Sequence, residues 1–394
     1  MLIIPSMRWF RSGRLLLVLL AVISFAVSAV LLAQQPATIA DQFSTPERLR
    51  KNRWWPTKAS PAREEYVGNA ACAQCHAAIA SDYKNSAMAQ TSVPAADSRI
   101  LRANPLEYRL GPYTYKITQT PQGADYSVSD GTNTVAANIQ WGFGIGKMGQ
   151  SYLIDYQGKT YLVPLSYYGA DKVWDYTVDI PHTVPASLQD ALGHELTPEQ
   201  HRGCFDCHNT ATTTRDHFEP ERAQPGVTCE GCHGPGADHV AAVKLGVADR
   251  GSSQTLNPAH LTPADSVDFC GSCHRTWWDV VLMDDRGPKS LRFPVYRLEK
   301  SRCWGKGDPR ITCTACHDPH KPLVKDDATY DRNCLSCHNV RGAQPLADHP
   351  GNACPTAVKN CVSCHMPKSE AAFVHSRFTD HMIRVVQPGE KFPD

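Results

Sequence analysis

An excess of charge of either sign is missing from this chain. Its 40 Lys and Arg are met by 39 Asp and Glu, a formal net charge of +1 over 394 residues, and nowhere do the basic residues gather into a block. That balance excludes a strongly basic nucleic-acid binder and argues against any polyanion partner. A nucleotide fingerprint is missing too, because the glycine-rich "WGFGIGKMGQS" does not match the G-x-G-x-x-G setting of a strand opening a helix. Cysteine is absent over one long interval, between Cys75 and Cys204, although the chain holds 16 in all. What is present, 42% apolar and 20% charged residues, is the composition of a folded protein with room for two or three domains.

Stray cysteines are nearly lacking: only Cys303 and Cys354 stand outside one pattern. The other fourteen form seven C-x-x-C-H units: Cys72/Cys75/His76, Cys204/Cys207/His208, Cys229/Cys232/His233, Cys270/Cys273/His274, Cys313/Cys316/His317, Cys334/Cys337/His338 and Cys361/Cys364/His365. This is the attachment signature of a c-type haem. Two thiols form thioether bonds to the haem vinyl groups, and the next histidine is set under the ring to give a nitrogen to iron. Retention then needs no large pocket. A single C-x-x-C would read equally as a zinc knuckle or a redox dithiol. Seven pairs that all carry the immediate histidine do not, and a disulfide scaffold would have no use for those histidines. The cofactors expected are seven covalently bound c-type haems, with the seven motif histidines as proximal iron ligands.

Six motifs fall between Cys204 and His365, which is 162 residues, or 27 for each haem. That is too little polypeptide for a conventional apolar core, so the porphyrins are expected to supply much of the buried surface. Short helices and loops should connect them, punctuated by Pro and Gly as in "HGPGADH" and "HDPHKP". Successive first cysteines are 25, 41, 43, 21 and 27 residues apart, too irregular for a solenoid. Residues 105–180 differ in character, with "YTYKITQT", "ADYSVSD" and "QSYLIDYQGKTYLVPLSYY" reading as strands and "YQGKTY" as a hairpin about Gly158. The fold class expected is α+β: mostly short helices and loops packed around covalently bound haems, with an inserted small antiparallel β-sheet subdomain.

The amino terminus reads as an export segment. Arg8, Arg11 and Arg14 precede the apolar run Leu15 to Ala33, with a polar switch at Gln34. Residues 1–34 are either a signal peptide, with "VSA" ending at Ala29 as a small-residue cleavage pattern, or an N-terminal membrane anchor, since the run is long enough to span a bilayer. Residues 35–65 form a linker whose Trp54/Trp55 pair packs on the haem domain or touches lipid headgroups. Residues 66–104 make the first haem-binding segment, 105–180 the inserted β-rich subdomain, 181–386 a six-haem domain and 387–394 a C-terminal tail. The chain is expected in the periplasm or at the cell surface.

Haem function turns on the sixth iron position. Ten histidines lie outside the motifs, against seven open positions. The supply therefore permits ligation by two histidines throughout, which favours low potentials and electron transfer. His239, His320, His375 and His381 are each tied by a short tether to one haem and free to face another, and His349 lies between the last two motifs. His182, His194 and His201 precede the second motif, while His217 and His260 are weaker candidates. Met88, on the helix expected after the first motif, would raise one potential if its thioether ligates, or else packs as core. The Asp318-Pro319 turn aims His320 away from its own haem and at a neighbour's iron. Cys303 and Cys354 either pair or remain two thiols, with Cys303 also a thiolate ligand candidate.

Taken together, the stretches "YVGNAACAQCHAAIASDYKNSAMA" (residues 66–89), "RGCFDCHNT", "VTCEGCHGPGADHV", "ITCTACHDPH" and "NCVSCHMPK" followed by "FTDH" resemble the multihaem c-type cytochromes of the cytochrome c-554-like superfamily. The resemblance covers about residues 66–381. It implies a periplasmic or cell-surface electron carrier with closely stacked haems, mostly bis-histidine ligated. By that resemblance His239, His320, His349, His375 and His381 look like distal ligands. Two features depart from it. Related pentahaem nitrite reductases carry lysine for the motif histidine at the catalytic haem, and no C-x-x-C-K occurs here; where many relatives have histidine in S-x-H-A, this chain has Met88. The function expected is a heptahaem cytochrome carrying electrons between a quinol-oxidising membrane complex and a periplasmic or outer-surface acceptor. The alternatives are a multihaem oxidoreductase of a small nitrogen or sulfur compound at one five-coordinate haem, and a docking role for the sheet.

Overall fold

The tyrosine- and threonine-rich runs do become a sheet. The computed structural model describes residues 60–121, 123–247, 255–301, 303–304, 311–336, 338, 354, 357, 359–387 and 389–393. The apolar run Leu15 to Ala33, Trp54/Trp55, Cys337 and His349 lie outside the described residues. Strands β1 (Ser92–Pro94), β2 (Leu106–Leu110), β3 (Tyr113–Thr120), β4 (Gly123–Ser129), β5 (Thr134–Phe143), β6 (Ser151–Tyr156) and β7 (Lys159–Leu162) are followed by the hairpin β8 (Leu165–Tyr168) and β9 (Val173–Tyr176), then β10 (His194–Glu195). The large sheet is antiparallel, ordered β10-β7-β6-β5-β4-β3-β2, and β1 lies along the far end of β5 with Ser92 opposite Phe143. It therefore takes in strands from before residue 105 and after residue 180.

Period-2 burial explains the register. In β3, Tyr113, Tyr115 and Ile117 face the interior while Lys116 and Thr118 face water. The same face collects Tyr126, Tyr152, Leu101 and, from the helix Leu188–Leu192, Ala191 and Leu192. Burying each large apolar side chain contributes about 1.5–3 kcal/mol. The Tyr156–Lys159 connection is a two-residue turn in which Gln157 and Gly158 both have positive φ (50° and 76°), the hairpin read from "YQGKTY". The glycine-rich stretch between β5 and β6 is a tight turn. A Cβ on Gly144 would stand 2.3 Å from the Gly149 carbonyl oxygen, so the glycines serve close backbone approach there.

Outside the sheet the buried apolar groupings are small among the described residues: Val267 with Val295 and Leu298, and Val280 with Phe293 and Tyr296. Helices are short, the longest described being Pro263–His274 at 12 residues. Their starts are written in "LTPEQ" and "LTPAD". Thr197 and Thr262 accept from the backbone N–H of Gln200 and Asp265, with proline at the first helical position. Among the described residues no helix is long and apolar enough to cross a membrane. Near the end, strands Lys368–Ala371 and Ser376–Thr379 pair as a hairpin, which delivers His381.

Candidate functional site

Each motif sits in or at the end of a short helix: Asn69–Ala73, Pro198–His208, Cys229–His233, Pro263–His274, Cys313–Cys316, Asp331–Leu335 and Cys361–His365. One turn of helix brings the two cysteines to one side and the histidine under them. Gly234, at φ 80°, ends the Cys229–His233 helix in the left-handed region that favours glycine.

Several ring orientations suit iron ligation. His233 Nδ1 lies 2.8 Å from the Leu256 carbonyl oxygen and His365 Nδ1 2.7 Å from that of Arg384. His208 Nδ1 lies 3.1 Å from the Thr91 carbonyl oxygen and 2.6 Å from its hydroxyl. A carbonyl can only accept, so such a bond puts the proton on Nδ1 and leaves the Nε2 lone pair to a metal. Burial pushes the imidazoles of His233 and His317 below their usual value. Neutral imidazole is the ligating form.

Two motif histidines face a histidine from elsewhere. His233 and His320 have ring centroids 6.0 Å apart and planes 4° apart. His317 and His381 are 6.2 Å apart at 45°. Two metal–imidazole bonds of about 2 Å each, plus the half-width of each ring, add up to this separation. The residues therefore fit a haem iron between them. His381 Nδ1 lies 3.1 Å from the Thr379 carbonyl oxygen, and burial, reinforced by His317, holds its imidazole down at about 4. Beside the second and third motifs, Asn209 and Thr228 keep buried side-chain polar atoms without a partner among the described residues. Such atoms are what a group bearing its own oxygens would satisfy.

The motifs also meet one another through sulfur. Cys72 and Cys229, Cys270 and Cys313, and Cys361 and Cys334 lie close enough to perturb one another. Three motif pairs result: first with third, fourth with fifth, sixth with seventh. Weaker electrostatic contacts join them. Cys232 reaches Cys270, and Cys316 reaches Cys334. The second motif comes in at the fourth, with Cys207 Sγ 3.8 Å from the Ser272 carbonyl oxygen and His208 close to His274.

The motifs are not furnished alike. His76 is exposed. It stands just before the helix Ala77–Tyr83, with its N–H on the Cys72 carbonyl oxygen at 2.9 Å, and acts electrostatically on His233. His338 is half-buried and follows the helix Asp331–Leu335 rather than lying in it, its N–H on the Cys334 carbonyl oxygen at 3.0 Å. Cys273 Sγ lies 3.8 Å from the hydroxyl of its own neighbour Ser272, and Cys364, like Cys75 and Cys316, is exposed. Thiols bonded to a porphyrin edge do not need to converge. Among the described residues no three His, Cys, Asp or Glu side chains gather as they would around a bare metal ion.

Other sequence candidates land elsewhere. His375 has Nδ1 2.9 Å from Asp171 and Nε2 2.8 Å from Asp175, and its ring lies on Tyr168. Both nitrogens are engaged by carboxylates, so neither lone pair is directed at iron. His182 is exposed and stacks on Tyr176 at 4.0 Å. His194 is exposed on β10, and His201 packs edge-on to Phe205 and Phe218. His239 is half-buried on the helix Ala237–Lys244. Met88 lies in turns beyond the helix Ala77–Tyr83 rather than on it. His217 and His260 are exposed. Cys303 lies near Cys334, whose thiol is raised by burial first, then Cys316 and Asp331, and more weakly by Cys303.

Sequence reading missed four buried groups at these motifs. Tyr83 sets its ring edge-on to His320 at 6.4 Å while its hydroxyl donates to the Val227 carbonyl oxygen. Glu230 and Asp331 accept backbone N–H bonds from the neighbouring motif. Arg297 grips Asp380, next to His381, through two bonds of 2.8 Å. No local sequence signal singles them out.

Repeated motifs and paired imidazoles define a multihaem c-type cytochrome, and comparison with known proteins agrees. The family model of cytochrome c554 and c-prime matches residues 181–234, which carry the second and third motifs. The multiheme cytochrome MtrA of Shewanella baltica (strain OS185) is 24% identical over 213 residues, 50% of this chain and 61% of that protein. The chain thus matches less than two thirds of that relative's length. The fold is similar to the crystal structure of the outer cell wall cytochrome OcwA, with a TM-score of 0.50 and 16% identity, covering 82% of this chain and 80% of that one.

Proposed function

We propose that this chain carries electrons between redox partners in the cell envelope through seven c-type haems, one on each C-x-x-C-H motif. The observation that carries the reading is the His233/His320 pair, two imidazoles set at the separation and parallelism of axial ligands on one iron. When bound, the haems supply redox-active iron within a conjugated ring. The protein's part is to hold those irons at fixed spacing and low potential. His320 is assigned to the iron of Cys229/Cys232, and His381 to that of Cys313/Cys316. His375 is left out of the ligand set because both its nitrogens are bonded to carboxylates. The proximal roles of His76 and His338, and the thioether roles of Cys273 and Cys364, rest on the spelling of their motifs.

Sulfur contacts support an order of haems along the chain: first, third, fourth, fifth, sixth, seventh, with the second joining at the fourth. Residues 105–180 serve as a β-rich insert, and 181–386 as the six-haem part. Export to the periplasm or cell surface, by a cleaved leader or a retained anchor, belongs to the same reading. So does exchange with a quinol-oxidising membrane complex or an outer acceptor.

A haemochrome assay with low-temperature EPR of the oxidised protein tests it. Seven haems per chain, all low-spin, is the expected result. A high-spin signal that shifts on adding nitrite, hydroxylamine or sulfite would make the chain an oxidoreductase instead.

A further inference from the structure

Glu230, the first variable residue of the third motif, is only 2% exposed. Its Oε1 accepts the backbone N–H bonds of Val67 (2.8 Å) and Gly236 (2.9 Å), and its Oε2 that of Gly68 (2.8 Å). Val67 and Gly68 lead directly into the helix Asn69–Ala73, which carries Cys72 of the first motif. A bond also runs the other way, from the Cys229 N–H to Asn69 Oδ1 at 3.0 Å. Gly236 lets the backbone come this close, since a Cβ there would stand 3.0 Å from Val67 Cγ2.

Three N–H donors converging on one carboxylate are what hold an anion away from water. Cys72 and Cys229 lie close enough to perturb one another, and the Glu230 charge reaches both sulfurs. A fixed negative charge near two irons opposes the arrival of an electron at either, and the low local dielectric keeps that effect from being screened.

We propose that Glu230 is a positioning residue for the haem pair of the first and third motifs. It locks the two attachment helices together and sets one buried negative charge beside both haems, which lowers their reduction potentials. The inference rests on the seven-haem reading above.

The test compares the fully loaded protein with Glu230→Gln, which keeps the size and loses the charge, and Glu230→Asp, which keeps the charge. Haem content and an EPR-followed potentiometric titration are the main readouts, with amide exchange at Val67 and Gly68 as a third. In Glu230→Gln two haems should titrate at higher potential, the others staying in place, and the two amides should exchange faster. In Glu230→Asp those two haems should stay near their wild-type potentials. The proposal is overturned if no haem moves in Glu230→Gln, or if all move alike. Should Glu230→Gln fail to accumulate, an upward move of the pair in Glu230→Asp overturns it and unchanged potentials support it. Absence of haem on the first or third motif of the wild type is a failure of the seven-haem reading, visible before any variant is titrated.

Discussion

The rings of His233 and His320 lie 6.0 Å apart and within 4° of parallel, although one closes the third motif and the other follows the fifth by three residues. An N–H bond from the His320 backbone to Asp318 Oδ1, 3.0 Å long, closes the turn that directs the side chain. His320→Ala should therefore convert one haem to high spin, the haem on Cys229/Cys232 and not the one on Cys313/Cys316. EPR with site assignment reads this. Loss at the fifth motif's haem, or no change, contradicts the pairing.

Asp380 and Arg297 are 1% and 0% exposed and share a two-pronged ion pair, with Arg384 on the same carboxylate at 2.7 Å. Asp380→Ala strands a buried guanidinium, so stability should drop by about 3–5 kcal/mol in denaturant titration. Because Ser301 holds the His381 carbonyl and the Ile383 N–H in the same corner, the haem on Cys313/Cys316 should lose its low-spin signal first. Arg297→Lys, which cannot make the fork, should show a smaller version of both effects.

The Asp171–His375–Asp175 arrangement makes stability depend on pH. Burial alone would lower the His375 imidazole, but bonds to Asp175 and Asp171 outweigh it and raise it above 6.5. Two carboxylates both need a donor, and only the imidazolium has two N–H groups. A raised folded-state value means that the stabilisation is complete below pH about 6.5 and fades as pH rises through the folded value. His375→Gln should remove that part of the pH dependence of thermal unfolding. A wild type and variant with parallel profiles across pH about 5 to 9 would contradict it.

Asp331 accepts from Asn360 and Cys361 N–H at 2.6 and 2.8 Å, so it caps the helix of the seventh motif from the doorstep of the sixth. Asp331→Ala should cost about 1–2 kcal/mol, as loss of an N-cap does elsewhere. Amide exchange at Cys361 should quicken, while β3 and β4 stay protected.

The seven motifs and the strands were legible because each is local: a five-residue spelling in one case, a period-2 alternation in the other. The Thr-Pro helix starts were legible for the same reason. The neighbour of His320 was not: the "CHDPH" turn is local, but that its ring meets His233 depends on how distant helices pack. The identical spelling also hid how differently the motifs are covered, with His76 and Cys364 exposed where His233 and Cys232 are half-buried. His375 shows the limit, since a short tether after the last motif looks the same whether the ring meets iron or two aspartates in another part of the chain. Glu230 and Arg297 carry no local signal of burial, since charged residues are mostly exposed, and only the fold reveals the partners that hold them inside.

The three sulfur contacts, Cys72 with Cys229, Cys270 with Cys313 and Cys361 with Cys334, also constrain biosynthesis. In an oxidising compartment, chain that closes before its cysteines are capped brings together thiols from different motifs, ready to cross-link wrongly. On the seven-haem reading, attachment would have to precede that closure.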